Sequence, residues 1–285
     1  MPADLTGPLT VTVPAVFRCG AHEVLLAGLA VAVAEWRARR DQACTGLLVE
    51  VRSHGRELAG PDTDVSRTVG WFASLHPVRL DPGPVPFTEV TAGGPAAGQV
   101  LKQVKEQVRA VPGNGLGFGL LRYLNDQTAP VLARYPAPQI GFNYRGRFTT
   151  TGPQTSTGPQ TSTNQQPAPA TETVAWRPAQ PRGTAEDSTL AEYVLEASGL
   201  VHDLPGGPQL QLTLTWAAQL LDEPDVTELA HLWAATLTGL ATHATQPDAG
   251  GLTPSDLPLV SLDQDQIEKL EFRFGSDDKA EKETW

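Results

Sequence analysis

Apolar residues recur at helical spacing in three long stretches and alternate with polar ones in several shorter runs, a mixture that predicts an α/β layered domain. Residues 21–39 predict a helix. Val24, Leu25, Leu29, Val33 and Trp36 lie at helical spacing, and Leu26, Ala30 and Val31 extend the apolar surface nearly all round, as in a buried helix. Residues 99–111 predict an amphipathic helix with Val100, Leu101, Val104 and Val108 on one face and Lys102, Lys105, Glu106 and Arg109 turned to water. Pro112 ends it. A third helix is predicted over residues 225–244, with Val226, Leu229, Leu232, Trp233, Leu237 and Leu240 in phase. Strands are predicted where β-branched residues cluster or alternate. These are Leu9–Val13, an interior strand over residues 45–51, the pieces Val69–Leu75 and Val78–Leu80 broken at Pro77, then Gln139–Tyr144 and Gln209–Trp216. Trp71 and Phe72 are core candidates on that reading.

Composition interrupts this pattern twice. Residues 149–173 carry Thr-Gly-Pro-Gln-Thr-Ser-Thr twice in a row and almost no large apolar side chain, so a flexible insertion is expected there, with structure resuming near Val174. Residues 273–285 are mostly charged and predict a frayed tail. One domain over residues 1–272 accounts for the rest.

Charge and cysteine content narrow the function classes. The formal net charge of −11 argues against nucleic acid and anionic membrane as partners. The short basic run Arg37, Arg39, Arg40 ends a predicted helix, where cations suit the helix dipole. Cys19 and Cys44 are the only cysteines, so there is neither a disulfide framework nor a CxxC metal spacing, and no metal is expected. The N-terminus has no basic segment followed by an apolar run, and the longest apolar stretch, Val24–Val33, is short for a bilayer. A cytoplasmic setting is the expectation.

The chain contains no GxSxG, HExxH or GxxxxGK motif. The glycine-rich stretch Gly113–Gly119 follows a helix and lacks a phosphate-binding lysine, so it reads as a tight turn rather than a nucleotide loop. His54 and Glu57 follow a predicted strand. They could act as general acid and base, or close the strand as a local charge network. Asn143 and Tyr144 end another strand and could cap the sheet or face a ligand.

Four segments together resemble the epimerization domains of nonribosomal peptide synthetases. Residues 67–80, RTVGWFASLHPVRL, are similar to the family's RTVGWFTxxYPV stretch. Residues 112–119, PGNGLGFG, resemble its PxxGxGYG, with Phe118 at the tyrosine position. Residues 141–148, GFNYRGRF, resemble FNYLGxF, and residues 252–260, LTPSDLPLV, resemble the stretch that closes such domains. They occur in family order, over about residues 5–271.

The resemblance implies a lobe like those of chloramphenicol acetyltransferase, with a mixed sheet packed by helices. It further implies a truncated domain: the C-terminal one of two lobes that enclose a tunnel. The tunnel admits an aminoacyl or peptidyl group on the phosphopantetheine arm of a peptidyl carrier protein, so no cofactor binds the lobe directly. Arg52, Ser53, His54, Arg56, Glu57, Trp71, Asn143 and Tyr144 are the tunnel and motif residues so implied. In the family, a histidine of an HHxxxDG motif and the first glutamate of EGHGRE exchange the α-proton. Here HHxxxDG is absent, and Arg52-Ser53-His54-Gly55-Arg56-Glu57 stands for EGHGRE. Arg52 stays protonated and cannot act as the base. Glu50 lies nearly 7 Å further back along the strand. Three readings follow: a lobe without epimerase activity that docks a carrier or completes a larger assembly, half of a split enzyme completed in trans by an N-terminal lobe, and a gene remnant. A lobe that packs against a partner, an N-terminal lobe or a second copy of itself by self-association, should expose an apolar face larger than a monomer ordinarily does.

Overall fold

The computed structural model describes residues 1–42, 46–56, 64–65, 67–148, 192–271 and 273. Its centre is a five-stranded sheet ordered β2-β1-β3-β4-β5, formed by β1 (Leu47–Ser53), β2 (Ser74–Leu80), β3 (Ile140–Phe148), β4 (Leu195–Leu204) and β5 (Gly207–Trp216). β1, β3 and β4 run parallel, and β2 and β5 flank them antiparallel. The mixed sheet packed by helices is the α/β arrangement the sequence implied.

Alternation along the strands assigns the two faces. Leu47, Val49 and Val51 of β1, Phe142 of β3 and Leu195, Ala197 and Val201 of β4 are buried against the helices. Helices α2 (Ala21–Ala38), α4 (Pro95–Arg109) and α5 (Glu223–His243) form that layer. Gly28 is what lets α2 and α5 approach: a Cβ there would lie 2.7 Å from a methyl of Leu237. Buried Trp233 of α5 seals the contact by donating its indole N–H to the Leu25 carbonyl at 3.1 Å. The basic run at the end of α2 meets acids at the start of α5, with Arg40 on Asp225 and Glu228 and Arg39 on Glu228. Arg40 also lies 4.0 Å over the Trp36 ring.

Three expectations are corrected. Leu9–Val13 is not a strand but part of helix α1 (Ala3–Phe17), which has a π-helical turn at Pro8–Thr12. Leu9, Val13 and Phe17, four residues apart, are buried, whereas Val11 between them is exposed, so the helical period wins over the alternation. α1 also closes the β5 edge: Thr6 Oγ accepts the Leu210 N–H at 2.8 Å, and the Met1 ammonium donates to the Leu210 carbonyl at 2.7 Å. Second, β2 runs unbroken through Pro77, because β2 is an edge strand and a missing N–H is tolerated there. The run Val69–Ala73 before it is irregular. Third, Lys105 does not face water but is fully buried.

α3 (Phe87–Thr91) joins β2 to α4, and the Gly113–Gly115 turn follows with all three residues at positive φ, as a tight turn requires. Among the described residues no single helix is long and apolar enough to cross a membrane. The 149–173 insertion and the Val174 restart lie outside the described residues. So does the 273–285 tail, apart from Arg273.

Candidate functional site

β1 alternates, so Glu50 and Arg52 point away from the helices while Val49 and Val51 point into them. In register, Arg52 lies beside Asn143 of β3, and Asn143 beside Ser198 of β4. One polar side chain from each central parallel strand therefore forms a row on the face turned from the helices. All three are half-buried.

Tyr193 completes the surroundings. Its hydroxyl donates a short hydrogen bond to Glu50 Oε2. Its ring lies over Gly141, where a Cβ would sit 2.6 Å from the ring carbons. Burial, and then the Glu50 carboxylate, push the phenol pKa above its ordinary value, with Arg52 opposing weakly. The hydroxyl thus stays protonated as a donor.

The other sequence-predicted residues separate. Ser53 pairs with Ser74 across β1 and β2, Oγ to Oγ 2.7 Å. His54 is exposed, and its Nδ1 accepts the Arg56 backbone N–H at 3.2 Å. Arg56 donates to the carbonyls of Val65 (2.6 Å) and Thr68 (3.0 Å) and lies 4.7 Å over the Phe72 ring, so it is tied to these three residues and not to the row. Glu57 lies outside the described residues. Trp71 is neither on a strand nor in the core: it is 86% exposed, and Val69 is 99% exposed. Without a strand to alternate, nothing turns either side chain inward. Tyr144 faces the helix side, and burial raises its pKa, so Asn143 and Tyr144 serve opposite faces of the sheet.

Two motif segments meet where buried His76 of β2 packs on Gly115, whose hypothetical Cβ would lie 2.0 Å from the imidazole Cγ. His76 Nδ1 is buried without a hydrogen-bond partner among the described residues. The closing stretch docks on α4. Asp256 takes Lys105 and Arg109, and Ser255 takes Glu106. Burial, and then Glu23, push the thiol of Cys19 beside this cluster up to about 12, which keeps it protonated. An open cleft of about 250 Å³ between β5 and α5, lined by Leu212, Trp216, Val226 and Trp233, is separate from the row. Sequence reasoning missed Ser198 and Tyr193. The alternation of Leu195, Ala197, Gly199 and Val201 was the available signal for Ser198, and Tyr193 had none.

A family model described as the condensation domain matches residues 18–257. The chain belongs to the condensation-domain family. It is 36% identical over 270 residues to a linear gramicidin synthase protein of Brevibacillus parabrevis, covering 94% of this chain and 5% of that protein. It is 32% identical over 267 residues to chondramide synthase of Chondromyces crocatus, covering 93% of this chain and 6% of that protein. Among solved structures it is similar to the epimerization domain from the third module of tyrocidine synthetase B, at 26% identity and a TM-score of 0.61. That match covers 86% of this chain and 47% of the solved one, so this condensation-family chain spans about half of that domain. The epimerization-type resemblance read from the sequence is borne out.

Proposed function

We propose that this chain is an epimerization-type lobe of the nonribosomal peptide synthetase lineage that holds or scaffolds a carrier-linked aminoacyl group and does not by itself exchange the α-proton. Its partner on this reading is a peptidyl carrier protein, whose phosphopantetheine arm presents the acyl group, in peptide antibiotic or other secondary-metabolite biosynthesis. The observation that carries the reading is Arg52 at the end of β1, where the family's base is expected. A guanidinium cannot accept the α-proton, and Glu50 is held by Tyr193 and lies about 7 Å back along the strand.

The test is deuterium uptake at the α-carbon of an aminoacyl-loaded carrier protein in deuterated water, with and without an added epimerization N-terminal lobe. No uptake above the protein-free control, together with measurable carrier binding, is the expected result. Uptake by the chain alone would overturn the reading. The exposed side chains of Val69, Trp71, Tyr123 and Leu124 favour a second reading, in which a histidine-bearing N-terminal lobe covers exposed apolar residues in trans and completes a split enzyme. Uptake only with the added lobe would select that reading.

A further inference from the structure

We propose that Arg52, Asn143 and Ser198 form a carboxylate-binding site, and that the acyl group this chain holds carries an acidic side chain. The second half rests on the function proposed above. The first half stands on geometry alone. The three residues occupy matching positions on adjacent parallel strands, so their Cα atoms step across the sheet at intervals of about 4.8 Å. Alternation turns all three side chains to the same face, and all are half-buried.

Among the described residues, none of the three side chains has a hydrogen-bond partner, and the Arg52 guanidinium has no ion pair. Arg52 is half-buried and makes no ion pair among the described residues, so its guanidinium is open to an anion on that face. Glu50, on the same face of β1, does not fill that role. It lies about 7 Å back along the strand and already accepts the Tyr193 hydroxyl.

The donor set defines the ligand. Arg52 offers a planar fork of N–H groups, Asn143 an amide NH2 and Ser198 a hydroxyl. One cation with two neutral donors matches a planar, singly charged group held bidentately by the fork. The position itself sharpens the assignment, because a glutamate there would repel the group that an arginine attracts.

The test follows the Arg52 Nε–Hε NMR signal of the full chain, assigned by its loss in Arg52→Gln. Sodium propionate, at constant ionic strength in chloride, is expected to shift it saturably while propionamide leaves it in place. Asn143→Ala and Ser198→Ala should each weaken propionate by about threefold to tenfold. An Arg52 signal unmoved by propionate, or moved equally by chloride, would overturn the site. The acyl assignment is then tested with aspartyl- and asparaginyl-pantetheine thioesters. The aspartyl ester should bind about tenfold tighter, and the preference should vanish in Arg52→Gln. Equal affinity for the two esters overturns the acidic-side-chain assignment. A propionate shift with no binding of either ester leaves the carboxylate site standing and removes the carrier-linked function.

Discussion

Lys105 and Asp256, 151 residues apart in sequence, meet at 2.6 Å from Nζ to Oδ2, with side chains 0% and 6% exposed. Lys105 also donates to the Phe17 carbonyl at 2.9 Å, and Arg109 reaches Asp256 at 3.2 Å. The contact joins the end of α1, the polar side of α4 and the Pro254–Asp256 turn. A buried pair need not outperform apolar packing, and Asp256 without Lys105 still keeps Arg109 and Thr253. Lys105→Met should therefore lower stability by about 1–3 kcal/mol in urea unfolding. The double variant Lys105→Met/Asp256→Asn should recover part of that loss. A single-variant loss below about 1 kcal/mol would show that the pair is not what holds the closing stretch.

Asp256 also carries a pH dependence. Burial disfavours its charged form, yet the hydrogen bonds from Lys105 and Thr253 outweigh that and hold its pKa below the ordinary carboxylate value. A depressed folded pKa stabilises the fold above the unfolded value of about 3.9, and the contribution disappears as pH falls through the folded value. Acid titration should show wild-type stability falling below about pH 4, and Asp256→Asn should lack that component.

His76 works in a different range. Burial lowers its pKa, so the folded chain keeps it neutral while the unfolded chain takes up a proton near pH 6.5. Stability should rise with pH from the folded pKa up to about 6.5, by at most about 1.4 kcal/mol per pH unit. His76→Leu, close in volume, should flatten the urea midpoint between pH 5 and 7 relative to wild type. An unchanged slope would assign the pH dependence to another group.

Gly115 faces the same histidine at φ +79°. Gly115→Ala should cost about 1–2 kcal/mol from the left-handed backbone alone, and the 2.0 Å approach to His76 Cγ should add to it. Gly115→Ala placed on His76→Ala isolates the backbone part. If the two backgrounds lose the same stability, the steric part is absent.

The sequence made the local elements legible and left the long-range contacts hidden. α2, β1, α4, β5 and α5 each carry a period that their own residues declare. Leu9, Val11 and Val13 satisfy a strand's alternation, while Leu9, Val13 and Phe17 satisfy a helix, and only the neighbouring β5 edge decides between them. β4 went unread because its helix-facing positions include Ala197 and Gly199, which are small and carry little hydrophobic signal. Lys105 looked solvated because its partner arrives from the far end of the chain. Arg52 and Asn143 were legible as candidates singly, but their adjacency depends on β3 pairing beside β1 across a long connection.

That adjacency bears on the chemistry that could be restored. Arg52→Glu places a carboxylate at the end of β1, on the face turned from the helices, beside Asn143. With an added epimerization N-terminal lobe, it should produce α-deuterium uptake by an aminoacyl carrier in deuterated water where wild type gives none. Tyr193→Phe alone should not, because freeing Glu50 leaves it about 7 Å from that position. Restoring a positioned general base is worth about 10²–10⁴-fold, well above a mass-spectrometric background. Carrier binding by Arg52→Glu without uptake would mean that the bound acyl group does not present its α-carbon to this strand. Uptake in Tyr193→Phe would instead identify Glu50 as a base that the Tyr193 hydrogen bond had held out of use.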